Sequence, residues 1–144
     1  KCIAPGMPNT MGNPYPIEFV RAGKNIELHL EEFDNKRIIH MDGSTGAGAA
    51  PSALGYSVGH WEGKDTLVVS TSRISWPWFN RVGVSQSAAV TTLEKFTVDD
   101  AQGKLFYELI VTDPWALKEP FRWKALWVWK PGEQVGVYGC RVEK

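Results

Sequence analysis

Between Phe121 and Trp129 the rings fall on every second position: Phe121, Trp123, Trp127 and Trp129, with Ala125 in the same series and Arg122, Lys124, Leu126 and Val128 between them. Side chains alternate across a strand, whereas a helix would scatter those rings around its circumference. The segment is therefore a strand with one almost wholly aromatic face. Such a face is either the core of an all-β domain or the wall of a pocket that holds something flat and apolar.

The rest of the chain agrees with a β-rich reading. Residues 1–15, with Pro5, Pro8 and Pro14 and the glycines Gly6 and Gly12, form an irregular lead-in, because proline removes ladder donors and glycine loosens the backbone. Three strand-like runs follow, Ile17 to Ala22, Ile26 to Phe33 and Lys36 to Met41, separated by Gly23-Lys24 and Asp34-Asn35, dipeptides that favour tight hairpins. Asp42 to Ser52 is mostly Gly, Ala and Ser and reads as a loop. Tyr56 to Trp61 and Thr66 to Thr71 form a further hairpin, and an aromatic-rich connection, Ile74 to Val84, leads into Ala88 to Val98, which alternates weakly enough to begin as a helical turn. Leu105 to Thr112 is a clean strand ended by Asp113-Pro114. Beyond the aromatic strand, Pro131-Gly132 turns the chain into a last strand, Gly136 to Val142.

About nine short strands with turns every 8 to 12 residues or so is the spacing of a sandwich or a barrel. Consecutive hairpins favour an up-and-down antiparallel sheet, and closing it removes exposed edges. The expectation is one all-β domain over residues 1–144, an antiparallel up-and-down barrel of lipocalin-like shape, with a β-sandwich as the alternative. A domain of this length buries roughly 70 % of the surface its unfolded chain exposes, enough for a real core.

Sixteen basic residues balance sixteen acidic ones, so no overall field draws the chain to nucleic acid or to an anionic membrane. Neither is expected as a partner, and no apolar stretch is long enough to span a bilayer. No metal-ligand spacing, phosphate loop or nucleic-acid signature occurs, so neither a metal nor a cofactor is expected. The seven tryptophans each bring a large apolar area and an N–H that needs a partner. They point to a core or a pocket.

Cys2 and Cys140 lie almost at opposite ends of the chain. They are two separate thiols or, as we expect, a disulfide that closes nearly the whole sequence into one loop and implies an oxidising compartment. Lys1 in place of an initiator Met, with no apolar leader, is what a mature chain trimmed of a signal peptide would show. Secretion or a periplasmic location is expected.

Candidate site residues follow from the alternation. Ile38, His40 and Asp42 share one side of their strand, and Tyr56, Val58, His60 and Glu62 share one side of theirs; both sets mix apolar residues with an imidazole and an acid, as a pocket wall holding an acid-base group would. His29, between Glu27 and Glu31, sits on a solvated face instead. Glu18 and Glu31, if turned into a barrel, would be candidate acids or bases, and Arg37 or Arg122 a bidentate partner for a buried carboxylate. Ser57 matches the letters of a nucleophile elbow in Gly55-Tyr-Ser-Val-Gly59, but the strand runs on into a hairpin where the elbow needs a helix. Gly55, Ser57 and Gly59 read better as a small-residue face that admits another element closely. Trp76, Trp78, Phe79 and Trp115, in or beside loops, are either a rim that stacks on a sugar or ring, or a plug over one barrel end.

The segments Pro14-Tyr-Pro-Ile-Glu-Phe19, Ile39-His-Met-Asp-Gly43, Leu54 to Gly63 (Leu-Gly-Tyr-Ser-Val-Gly-His-Trp-Glu-Gly), Asp65-Thr-Leu-Val-Val69 and Asp113-Pro114 together resemble a group of small bacterial secreted proteins of no established function. The resemblance implies a secreted β-rich domain and assigns no catalytic residue. Lys64 stands as an insertion in its hairpin relative to that group, and Ser44 occupies the place after Asp-Gly where an Arg is usual.

The function expected is binding of a small apolar or aromatic molecule inside the barrel, with or without cofactor-free acid-base chemistry of the isomerase or lyase kind. Trp123, Trp127, Trp129, Tyr56 and Arg37 are the expected ligand contacts, and His40, His60, Glu18 and Glu31 the candidate acid-base groups. The alternatives are a carbohydrate-binding surface of exposed tryptophans and a structural or interaction domain with a filled core. The oligomeric state is left open.

Overall fold

The computed structural model describes residues 2–141; Lys1 and residues 142–144 lie outside the described part, and with them the end of the expected last strand. Eight strands form one sheet in sequence order: β1 (Ile17–Ala22), β2 (Asn25–Leu30), β3 (Asn35–His40), β4 (Tyr56–Glu62), β5 (Thr66–Ser72), β6 (Thr91–Asp99), β7 (Lys104–Thr112) and β8 (Phe121–Val128). The fold is all-β and barrel-like: the sheet curls into a half-barrel, and β1 and β8 do not pair with each other.

Neighbouring strands are antiparallel except β3 and β4, which run parallel over Ile39↔Ser57 and His40↔Val58. A tight hairpin can join only antiparallel strands. The Gly-rich loop after β3 is the crossover that lets the chain return and enter β4 in the same direction. The small-residue face of β4 is what allows the two strands to pack: a Cβ on Gly59 would fall 2.6 Å from Ile39 Cγ2 and 2.7 Å from Met41 Sδ.

The concave side holds the core. Leu28, Leu30, Ile39, Leu67, Val69, Phe96, Tyr107, Leu109 and Val111 are buried there, with Trp123, Ala125 and Trp127 of the aromatic strand packed against them. Phe19 meets Phe96 edge to face across the interior, their centroids 5.1 Å apart. The N-terminal lead-in closes one end as a plug. Its single 3-10 turn, Asn9–Met11, drives Met7 and Met11 to 0 % and 1 % exposure in that core. The plug is held by backbone as well as by packing. Met7 N donates to the Ala53 carbonyl at 2.9 Å, and Gln86 Nε2 donates to the carbonyls of Met7 and Trp76.

Cys2 is bonded to Cys140, tying the plug to the C-terminal segment. That segment differs from expectation: no strand forms between Gly136 and Arg141. Its backbone donors go to side chains instead, Gly136 N to Glu31 and both Tyr138 N and Gly139 N to Asp34. β2 ends at Leu30 rather than Phe33, because the chain turns at once, Asp34 N donating to the Glu31 carbonyl at 3.1 Å. Glu32 is buried in a 3-10 turn there, bonded to Asn13 and Arg81.

Candidate functional site

Alternation along the strands carries five polar side chains onto the concave face. Arg37 of β3 sits at 1 % exposure and binds Glu94 of β6 through both carboxylate oxygens, Nη1 to Oε1 at 3.0 Å and Nη2 to Oε2 at 2.7 Å. Nη2 also donates to Ser57 Oγ at 3.1 Å and Thr71 Oγ1 at 3.3 Å, and the Tyr107 hydroxyl donates to Glu94 Oε1 at 2.7 Å. Ser57 and Thr71 bond each other at 2.8 Å. This is a charge-assisted, fork-on-fork pair inside an apolar shell.

Burial alone would lower the Arg37 pKa, and the charge and hydrogen bonds of Glu94 outweigh it, so the guanidinium is held above its ordinary value. Burial pushes the Tyr107 phenol well up, and the adjacent Glu94 charge pushes it further. Tyr107 is therefore a fixed hydrogen-bond donor and does not exchange its proton near neutral pH.

The candidate acid-base groups lie elsewhere. The β3–β4 register puts His40 and Tyr56 on one side, and it is the convex side: Arg37 and Ile39 point in, so His40 points out. Its ring stacks on Tyr56 at 4.1 Å with 3° between the planes, and the Tyr56 hydroxyl is 2.6 Å from Ser44 Oγ. His60 and Glu18 are exposed, and Glu31 accepts the Gly136 amide at the sheet's end. His29 bonds Glu27 on the convex face.

Of the expected aromatic wall, Trp123 and Trp127 do face inward, 5.9 and 5.4 Å from the Tyr107 ring, and Trp127 Nε1 donates to the Tyr15 carbonyl at 3.0 Å. Trp129 does not. It lies beyond the end of β8 and is 73 % exposed, because no neighbouring strand continues to that level. Arg122 is likewise exposed and binds no buried acid.

The interior is packed by the protein's own side chains, and the usable space lies at the plugged end. A cleft of about 370 Å³ opens there between the plug, the connection after β5 and the inner face of β7 and β8. Phe79, Phe121, Trp123, Leu109, Val82 and Pro8 form its apolar lining, and Arg81, Asn9, Asn13 and Asn80 its polar part. Phe79 and Phe121 stand edge to face at 4.9 Å. Trp76 is half buried behind the plug, where a Cβ on Gly6 would meet its ring at 2.6 Å, while Trp78 and Trp115 are 43 % and 84 % exposed.

Among the described residues no group of His, Cys, Asp and Glu could hold a metal ion, and no helix is long and apolar enough to cross a membrane. Compared with known protein families, with curated proteins and with solved structures, the chain matches none.

Arg37 is legible in the sequence as a partner for a buried carboxylate; the carboxylate it finds, Glu94, is not. Glu94 sits in a run whose inward residues Thr92 and Glu94 are polar, so the alternation that marks β6 is masked by the side chains that matter. Asp113 and Glu32 are the other buried acids for which the sequence offers no role, and Asp113 caps a strand end. It accepts the Ser87 amide and hydroxyl, both at 2.6 Å, and the amides of Trp115 and Ala116. Asp-Pro at a strand end is the signal for such a cap.

Proposed function

We propose that the protein is a secreted or periplasmic binder of a small apolar or aromatic molecule, taken at the mouth of the half-barrel between the plug and β8. The observation that carries this reading is the aromatic cleft itself. It combines a volume in the lower part of the range for small-molecule sites with an apolar wall and a few polar groups at the edge. The Cys2–Cys140 bond supports an oxidising compartment, and the likeness of several segments to small bacterial secreted proteins points the same way.

Binding is favoured over catalysis. Among the described residues Arg81 is the only ionisable one lining the cleft, and it is engaged with Glu32. The Arg37 and Glu94 pair is sealed from it. Titration with 2-naphthol, followed by calorimetry, tests the reading: Trp123→Ala should weaken binding by at least about tenfold, the loss of one well-packed aromatic contact, while Trp129→Ala leaves it unchanged. Equal affinity in wild type and Trp123→Ala would overturn it.

A second reading, recognition of sugar at the surface, is favoured by the exposure of Trp115 and Trp78. Quenching of tryptophan fluorescence by acrylamide, with and without oligosaccharide, separates the two. Protection by sugar that is lost in Trp115→Ala selects the surface site.

A further inference from the structure

β3 and β4 are joined over only two residue pairs. On the side of the plug the strands part, since the chain before Tyr56 is turned away by the bond from Gly55 N to the Ser52 carbonyl. The gap is a second cleft, about 260 Å³, lined by Lys36, Arg37, Ile38 and His40 on one side and Ser52, Leu54, Gly55 and Ser57 on the other. It lies apart from the aromatic cleft and shares no residue with it.

Its electrostatics are one-sided. None of the lining residues is acidic. Lys36 stands at the rim with its side chain 60 % exposed, 3.9 Å from a single carboxylate, Glu27. At the base, Arg37 and Ser57 belong both to the cleft and to the interior cluster. The two Nη atoms of Arg37 are committed to Glu94, Ser57 and Thr71, but its Nε, two bonds nearer the backbone, is buried without a partner. A buried polar atom left unpaired is costly, and an acceptor arriving at it recovers that cost.

Glu94 cancels the Arg37 charge and Glu27, 3.9 Å away, offsets that of exposed Lys36 only in part, so with the His40 ring in the lining and no acid there the cleft suits at most a monoanion. Ile38 and Leu54 supply an apolar flank beside the donors. We propose that this cleft binds a small monocarboxylate. Its carboxylate lies toward Lys36 and Ser52 and accepts from the otherwise unpartnered Arg37 Nε–H, and its short hydrocarbon tail runs along Ile38 and Leu54.

Butyrate titrated into uniformly labelled protein at constant ionic strength, with chloride and inorganic phosphate as parallel probes, tests this by nuclear magnetic resonance. Saturable shifts of the Lys36, Gly55 and Ser57 amides and of the Arg37 Nε–H are expected with butyrate. Affinity should fall at least about fivefold in Lys36→Gln, a change at an exposed side chain that leaves the fold intact, and also in Ser52→Ala. Shifts that grow linearly and match those with chloride would overturn the proposal. So would butyrate affinity unchanged in both variants, or saturable binding of phosphate without that of butyrate.

Discussion

Arg37 and Glu94, 57 positions apart in the chain, face each other across the inner side of the half-barrel through two parallel hydrogen bonds of 3.0 and 2.7 Å. Removing one partner strands the other as a buried charge, a change that typically costs about 3 to 5 kcal/mol. Glu94→Gln and Arg37→Met should each lower stability by about that much in urea unfolding. The double variant Arg37→Met/Glu94→Leu should recover most of the loss, because paired ions and well-packed apolar groups of similar volume are nearly equivalent in a core. Additive losses would show that the two side chains act separately.

Asp113 links stability to acid. Burial would raise its pKa, and the hydrogen bonds from Ser87, Trp115 and Ala116 outweigh burial and hold it below the ordinary 3.8. A carboxylate whose folded pKa is depressed stabilises fully above its unfolded pKa, and that contribution disappears as pH falls through the folded value. Asp113→Asn should therefore be less stable than wild type by about 2 kcal/mol at pH 7. The difference should narrow below about pH 4. Thermal unfolding at pH 7, 5 and 3 reads the trend.

Gly59 is a test of the parallel junction. A Cβ there would overlap Ile39 and Met41 at 2.6 and 2.7 Å. Gly59→Ala should cost about 1 to 3 kcal/mol by overpacking. Pairing it with Ile39→Val, which removes one methyl from the opposing side chain, should return part of the loss.

The plug is structural in the same sense. Met7→Ala empties a fully buried side chain and should destabilise by about 2 to 5 kcal/mol. Met7→Leu, of similar volume, should cost less than about 1.5 kcal/mol. Denaturant midpoints of the two variants decide it.

Strands whose two faces contrast were legible from residues alone. The hairpin of β1 and β2, the β4–β5 hairpin and β7 fall within a few residues of expectation because their inward positions are apolar and their turns carry Gly or Asp. The aromatic face of β8 points inward for the same reason. What stayed hidden depends on partners remote in sequence. β6 reads as weakly patterned because its inward Thr92 and Glu94 are polar, and Glu94 is satisfied by Arg37, a neighbour that only the curled sheet supplies. His40 was placed with the right companions and on the wrong side, since alternation groups residues without saying which group faces in. The direction is set by Arg37, which the sequence offers as a partner for a buried carboxylate without showing that its side of the strand, and not that of Ile38 and His40, faces in. The C-terminal segment lost its ladder to carboxylates of Glu31 and Asp34, a competition no local pattern reports.

The covalent join between Cys2 and Cys140 closes all eight strands inside one loop. A protease that cuts once in the glycine-rich crossover between β3 and β4 would release no fragment: the pieces on either side of the cut stay attached through sulfur. Durability of that kind favours a protein whose working life is spent among hydrolases.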